Sequence, residues 1–400
     1  MHLITMDTSR FNRIAGDIVP RSANLGNEFV EFQYFLPKEL PDFKELLDPV
    51  IFEKSNEANR ALGELQGLTK NLGSLELFVD AYMRKEAVES SKIEGTFVSL
   101  TEVFLTEAGS KKSEFINPNV REVVNFVKAI QYGLQKLKEG KKIDKQILNQ
   151  MHRILLTKVR GEEKLVGDFR KRQNWIQSKG KTSDIHEADF VPPSEEHVEK
   201  LMDYLFEYMN KDDGSFRLLK AALIHYYFET IHPYEDGNGR MGRTLILLYL
   251  IQSKVIDSPL LYLSPYFSKY KDAYYNSLME ARETGDFKRW IKLFLEGIRD
   301  MAIDTSQRVR KLIELYNEYK GRLVKVHATS ISYTLLDKFF ENPYYFVSLL
   351  QEELGENYPK VKRGMNYLAK CEIIKPYTNH KRNKIFVATD ILRIMEENII

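Results

Sequence analysis

Apolar residues recur at spacings of three and four along most of the chain, which predicts a mainly helical protein. The period is clear in 59-NRALGELQGLTKNL-72, 76-ELFVDAYMRKEAVESSKI-93, 119-NVREVVNFVKAIQYGLQKLKEG-140 and 145-KQILNQMHRILLT-157. Gly95 and Gly140 stand where helix terminators belong, and Asn117-Pro118 where a helix opens. Residues 1 to about 40 show no such period and are expected to be irregular, ending at the turn-like LPKELPD.

The pattern changes over 158–193. Gly161, Gly167, Gly180, Pro192 and Pro193 interrupt it, and short β-like pieces lie at Gln173–Ile176 and Ala188–Val191, so a loop with a small β-hairpin is expected. Helices at about 195–209 and 216–230 lead to a glycine turn. The helix after it, about 240–252, is apolar nearly all round and should form the buried centre of a helical domain. Further helices are expected at 264–283, 286–299 and 301–322. From about 330 come three short helical patterns, then 371-CEIIKPYTNHKRNKIFVATD-390, which reads as two strands around a basic loop.

Composition adds bounds. Four hundred residues, 43% hydrophobic and 29% charged, fit a globular protein of two or three domains. A net charge of +2 gives no global argument for nucleic acid or membrane. Cys371 is the single cysteine, which excludes an internal disulfide framework and a cysteine-rich zinc site and fits a reducing cytoplasm. The start MHLITMDTSRF lacks a signal-peptide pattern, and no apolar run has the length of a membrane span, so a cytoplasmic protein is expected.

Chemistry concentrates in 232-HPYEDGNGRMGR-243. Glycines at 237, 239 and 242 let the backbone turn sharply and approach a ligand. A helix starting just after points its unpaired N–H groups and positive dipole end at that turn, which suits phosphate. Arg240 and Arg243, three apart, can clamp further oxygens. No Gly-Lys-Ser/Thr ends the turn and no strand precedes it, so neither a Walker nor a Rossmann loop fits. Asp236 offers a hard oxygen for Mg²⁺, and His232 can accept a proton near neutral pH. A helix cap paired to acidic neighbours is the plain alternative, and a zinc pair lacks a third ligand nearby. Base, metal site and phosphate cradle together point to attack of a hydroxyl on a nucleotide phosphate.

This run resembles the signature of the Fic (Fido) family, His-Pro-Phe-x-Asp/Glu-Gly-Asn-Gly-Arg-x-x-Arg, with Tyr234 in place of phenylalanine. The resemblance implies a mainly helical, all-α Fic fold with a β-hairpin flap. It also implies a protein adenylyltransferase, a nucleotidyltransferase that moves AMP from ATP to a Ser, Thr or Tyr hydroxyl of a target protein. On it, His232 is the general base and Asp236 holds Mg²⁺. Gly237, Asn238, Gly239, Arg240, Met241 and Gly242 cradle the phosphates, and Arg243 takes the γ-phosphate. Similarity extends to 167-GDFRKRQNWI-176 and 190-FVPP-193, like the flap that aligns a target by strand addition. It reaches Tyr274 and Tyr275, placed beside the adenine in the family.

Ser90 and Glu94 share one helix face, with Gly95 ending the helix. Alone this is an ordinary helix end. Beside the Fic signature it resembles the inhibitory motif Ser/Thr-x-x-x-Glu-Gly/Asn of the class with an N-terminal inhibitory helix, here about 79–94. The implied brake is a Glu94 carboxylate offered to Arg243 where the γ-phosphate belongs.

The expected division is 1–110 as an N-terminal helical region, 111–305 as the catalytic core, 306–329 as a helical linker and 330–400 as a winged-helix-like domain. In that tail Phe346–Leu354 and Lys360–Lys370 would form a helix-turn-helix and Thr378–Lys384 the wing. Lys360, Lys362, Arg363, Lys370, Lys381, Arg382 and Lys384 make a basic side. Glu352, Glu353 and Glu356 lie close by, so partner docking is favoured over DNA. A target protein, self-modification and a homodimer are compatible with the family; a membrane partner is not expected. Two rival readings are AMP removal or transfer of another nucleotide, and a winged-helix DNA-binding regulator with a nucleotide-sensing Fic core.

Overall fold

The computed structural model describes residues 6–397 except 27, 71–75, 110–116, 162–163, 178–183, 212–215 and 379–383. In chain order its strands and helices begin with β1 (Gly16–Leu25), β2 (Glu28–Pro37), α1 (Phe43–Leu46), α2 (Pro49–Lys70), α3 (Glu76–Ile93) and α4 (Leu100–Ala108). Next come α5 (Pro118–Lys138), α6 (Lys145–Leu156), α7 (Glu195–Asn210), α8 (Arg217–Ile231), α9 (Asn238–Gln252), α10 (Ser264–Lys269), α11 (Lys271–Thr284) and α12 (Lys288–Lys325). The tail holds α13 (Ser330–Glu341), β3 (Tyr344–Phe346), α14 (Val347–Leu354), α15 (Tyr358–Lys370), β4 (Lys375–Pro376), β5 (Ile385–Val387) and α16 (Thr389–Glu396). The fold is mainly helical, as the periodicity predicts.

The chain divides into two compact units. The first comprises Met1–Asn59, Lys128–Asp257 and Tyr266–Arg299; the second comprises Arg60–Val127, Ser258–Pro265 and Asp300–Ile400. In the first unit α8 and α9 form the centre. Every residue of α8 from Leu218 to Ile231 is buried, and α9 is buried from Arg240 to Leu250. Gly242 lets the two helices approach, since a Cβ there would meet Phe228 Cδ1 at 3.0 Å as well as the Glu229 carboxylate.

Residues 16–37 depart from the irregular start expected. They form an antiparallel hairpin with Gly16 opposite Pro37 and Leu25 opposite Glu28. Gly26 takes φ +67° at the turn. Strand β2 buries Phe32, Tyr34 and Phe35, which pack with Phe11, Ile185, Phe190 and Val191. Of the hairpin expected within 158–193, the described residues show one bridge, between Ile176 and Phe190. Residues 264–283 are two helices broken at Tyr270, and the helices expected at 286–299 and 301–322 are one, α12 (Lys288–Lys325).

In the second unit α3 ends as the sequence predicts. Gly95 has φ +90°, its N–H donates to Lys92 C=O at 3.0 Å, and Thr96 N–H donates to Ser91 C=O at 2.9 Å. These two bonds make a Schellman end that fixes Glu94 as the C-cap. Helix α3 packs on α13 and α16 of the same unit, with Phe78 edge-on to Phe340 at 5.7 Å. The tail sheet has the order β3-β5-β4. Lys381 and Arg382 of the expected wing lie outside the described residues.

Candidate active site

The turn between α8 and α9 begins at His232. This residue caps α8 with φ 51° and ψ 60°, a left-handed conformation costly for a side chain with a Cβ. Its carbonyl shows why the conformation persists. It accepts from Arg170 Nε at 2.9 Å and from Asn174 Nδ2 at 3.3 Å. Asn174 also donates to Tyr234 C=O at 3.0 Å, and Arg170 N–H donates to Pro233 C=O at 2.8 Å. The Arg170 guanidinium is buried and further donates to Ile231, Arg172 and Pro193 carbonyls. Burial lowers its pKa to about 9, so it stays a cation at neutral pH. A single arginine thus fixes both the last turn of α8 and the backbone around His232.

The middle of the turn is held from the other side by His152 of α6. Its Nδ1 accepts from Gly167 N–H at 2.9 Å, so Nε2 carries the proton and donates to Asp236 C=O at 2.9 Å. Both bonds are made by the neutral ring. Burial holds its pKa down to about 4, which keeps that form dominant at neutral pH. The same ring stacks on Tyr234, with centroids 3.9 Å apart. Tyr234, fully buried, donates its hydroxyl proton to Asn149 Oδ1 at 2.9 Å. Tyrosine in place of phenylalanine therefore keeps the packing and adds one satisfied bond.

Asn238 closes the turn. Its Oδ1 accepts from Tyr234 N–H at 2.8 Å and its Nδ2 donates to Tyr234 C=O at 2.7 Å. The side chain expected at phosphates is thus bonded to the turn itself. Gly237 sits at the N-cap with φ +78°, and Met241 N–H makes the first helical bond, to Gly237 C=O at 3.0 Å. The helix begins at Asn238, two residues earlier than expected, so the N–H groups of 238 and 239 face the turn at a helix start, where an anion binds. Gly239 is half-exposed, whereas Met241 and Gly242 are buried in the helix.

Arg240 and Arg243 are both buried in the first turns of α9. Arg240 Nη2 lies 3.8 Å from Asp236 Oδ1, and Lys164 Nζ lies 3.2 Å from Asp236 Oδ2. Burial opposes ionisation of Asp236, but Lys164 and Arg240 outweigh it and hold its pKa below the usual value. The turn therefore combines a histidine, an ionised carboxylate, two buried arginines and a helix start.

Tyr274 and Tyr275 part ways. Tyr274 is buried, hydrogen-bonds His225 Nε2 through its hydroxyl at 2.8 Å and stacks on Phe267 at 4.5 Å. Tyr275 is 42% exposed. Ser90 is fully buried on α3, and Glu94 and Gly95 are half-buried at its end. Sequence reasoning did not single out His152, Lys164, Arg170 or Asn174. His152 alone left a signal: it is a polar residue on the apolar face of an amphipathic helix.

Residues 52–135 match the model of the Fic/DOC family N-terminal region, and residues 142–250 match that of the Fic/DOC family. A "Probable protein adenylyltransferase" from Aquifex aeolicus is 23% identical over 209 residues, 52% of this chain and 58% of that protein. The "Protein adenylyltransferase Fic" of Nematostella vectensis is 28% identical over 151 residues, 37% of this chain and 33% of that protein. The chain thus spans less than two thirds of either relative. A crystal structure of a Fic family protein from Desulfovibrio desulfuricans shares the fold with a TM-score of 0.54 at 20% identity, over 86% of this chain and 96% of that one. Fic-1 from C. elegans does so with a TM-score of 0.51 at 19% identity, over 67% and 75%. The first match ends inside α5; the second begins just ahead of α6 and ends inside α9, so the segment that resembles the Fic/DOC family takes in the whole turn from His232 to Arg243.

Proposed function

We propose that the chain is a protein adenylyltransferase that transfers AMP from ATP to a hydroxyl of a protein. The observation that carries this reading is the rigid turn, in which a left-handed histidine, an ionised aspartate and the start of an arginine-bearing helix share twelve residues. His232 takes the proton of the acceptor hydroxyl. The hydroxyl oxygen bonds to the α-phosphorus, the bond between that phosphorus and the α,β-bridging oxygen breaks, and pyrophosphate leaves with the electron pair. The N–H groups at the start of α9 bind phosphate oxygens, and Arg240 and Arg243 balance their charge. The turn's rigidity matters because such catalysis is mostly positioning and electrostatics.

Asp236 fits Mg²⁺: it is ionised, partly exposed, and already accepts the Lys164 cation on Oδ2. A single carboxylate suffices for an ion shared with nucleotide phosphates, and no group of three or more acidic, His or Cys side chains suited to a metal occurs among the described residues. When bound, Mg²⁺ neutralises phosphate charge. The segments 167–176 and 190–193 serve as the flap that aligns the target strand. Tyr275, exposed beside the core residue Tyr274, is the tyrosine available to a nucleotide base. Glu94, set at its helix end by the Schellman bonds, acts as an internal competitor of the γ-phosphate. The tail acts as a winged-helix docking module for a protein partner.

The test is incorporation of α-labelled ATP with Mg²⁺ by the parent, Glu94→Gly, and Glu94→Gly combined with His232→Ala. The Glu94→Gly protein should label itself or an added protein at about ten- to a hundredfold the parent rate, since a charge-assisted pair is worth about 1.5–3 kcal/mol. The double variant should not label. Equal rates in parent and Glu94→Gly, with ATP bound in both, would remove the brake; label persisting without His232 would remove the base.

A further inference from the structure

Residues 6–37 lie ahead of both segments that match the family models, and what they pack against is specific. Phe35 N–H donates to Val191 C=O at 2.9 Å, so β2 spends on residue 191 the edge that β1 does not use. The Phe35 ring lies 5.7 Å from Phe190, whose other neighbour is the Arg282 guanidinium of α11, 4.2 Å from the ring centroid. Arg21 on β1 forms a two-pronged ion pair with Glu195 at 2.7 and 2.5 Å, and the same guanidinium reaches Gln173 Oε1 at 3.5 Å. Gln173 in turn donates to Pro192 C=O at 2.9 Å. Trp175 and Ile176 pack into the hairpin's apolar cluster with Ile185, Ala188 and Phe190. Both legs of the proposed flap, 167–176 through its end at 173–176 and 190–193, therefore rest on the hairpin.

Among the described residues the legs have little pairing of their own. There one bridge joins them, through Ile176 N–H to Phe190 C=O at 2.8 Å and the Asp189 and Phe190 N–H groups to Ile176 C=O at 2.9 and 3.2 Å. A two-stranded pairing of that length is not stable alone in water. The adjoining residues Arg170 and Asn174 hold the His232 carbonyl, so the flap legs and the catalytic turn belong to one bonded chain.

We infer that the N-terminal hairpin is a positioning element: through Arg21 and Phe35 it fixes the two flap legs in the register that presents a strand edge to the target protein. The target's part in this rests on the adenylyl-transfer reading; the hold of the hairpin on the flap does not. Arg21 touches no reacting atom, and its fork geometry is what lysine could not supply.

Amide hydrogen exchange on the full chain tests the inference. In Arg21→Ala, the Ile176, Asp189 and Phe190 amides should exchange about tenfold faster or more, while amides of α8 and α9 keep the parent rate. The swapped pair Arg21→Glu with Glu195→Arg should restore protection. Unchanged exchange at those three amides, or acceleration spread evenly over α8 and α9, would overturn it, the second because it marks loss of global stability only. Should Arg21→Ala not fold, Arg21→Gln gives the same comparison with the side-chain stem kept. A Mg-ATP titration of each protein runs beside it: loss of nucleotide binding in the parent would sink the transferase reading and leave the hairpin result standing.

Discussion

Arg170 shows how much one buried side chain can fix. Among the described residues no carboxylate bonds its guanidinium; backbone carbonyls of Arg172, Pro193, Ile231 and His232 accept its protons. Replacing it with methionine fills the volume and leaves those carbonyls short of a donor in a buried place. Asn174 still donates to the His232 carbonyl; with one or two of the other three left unpaired at about 1–3 kcal/mol each, Arg170→Met should lose about 2–4 kcal/mol in urea denaturation. It should also free His232 to leave the left-handed region, with labelling reduced more than the stability loss accounts for. A variant as stable as the parent would show that water replaces the guanidinium. None of this was legible in the sequence, where Arg170 is one of three basic residues in RKR and only folding separates the buried one from Lys171 and Arg172.

The helices around the turn from His232 to Arg243 were legible because each buries one face or all of itself. The stretches at α5, α6, α7 and α8 read correctly to within a few residues, and the all-apolar α9 lies at the centre as its composition demands. The misread elements have physical causes. Strand β1 carries Pro20, Arg21, Ser22 and Asn24, so it shows neither alternation nor an apolar run; as an edge strand it tolerates the proline. Its burial comes from distant residues that no local pattern contains. The sequence reading divided α12 near residue 300, but its Gly297 serves close packing: a Cβ there would lie 2.9 Å from Tyr266 Cδ1. The helix runs through without a break. Gly242 has the same use at the α8–α9 contact. Gly242→Ala should push the helices apart and cost about 1–3 kcal/mol as overpacking, measured by thermal unfolding, with nucleotide affinity falling as the start of α9 shifts. An unaltered melting temperature would mean that Glu229 and Phe228 move aside freely.

For the whole molecule, composition said least about where stability would fail. The near-neutral charge balance, +2 overall, hides two buried histidines in the unit that holds the turn from His232 to Arg243. Burial holds the pKa of His152 down to about 4 and that of His225 down to about 3, against an ordinary value near 6.5. Between those values the unfolded chain takes up protons that the folded chain refuses. Stability is therefore complete above about pH 6.5 and falls as pH drops through the window to about 4 for His152 and about 3 for His225. A depression of this size for His152 alone corresponds to about 3 kcal/mol. Asp236, whose pKa is lowered, adds a loss in the same direction once pH falls below the ordinary carboxylate value. Urea midpoints at pH 7, 5.5 and 4.5 should fall in step. His152→Phe keeps the stack on Tyr234 but gives up the bonds to Gly167 and Asp236, so it should start less stable at pH 7 and lose less on acidification. If the parent and His152→Phe decline by equal amounts, His152 is not the group that titrates, and the acid sensitivity belongs to His225 and the carboxylates.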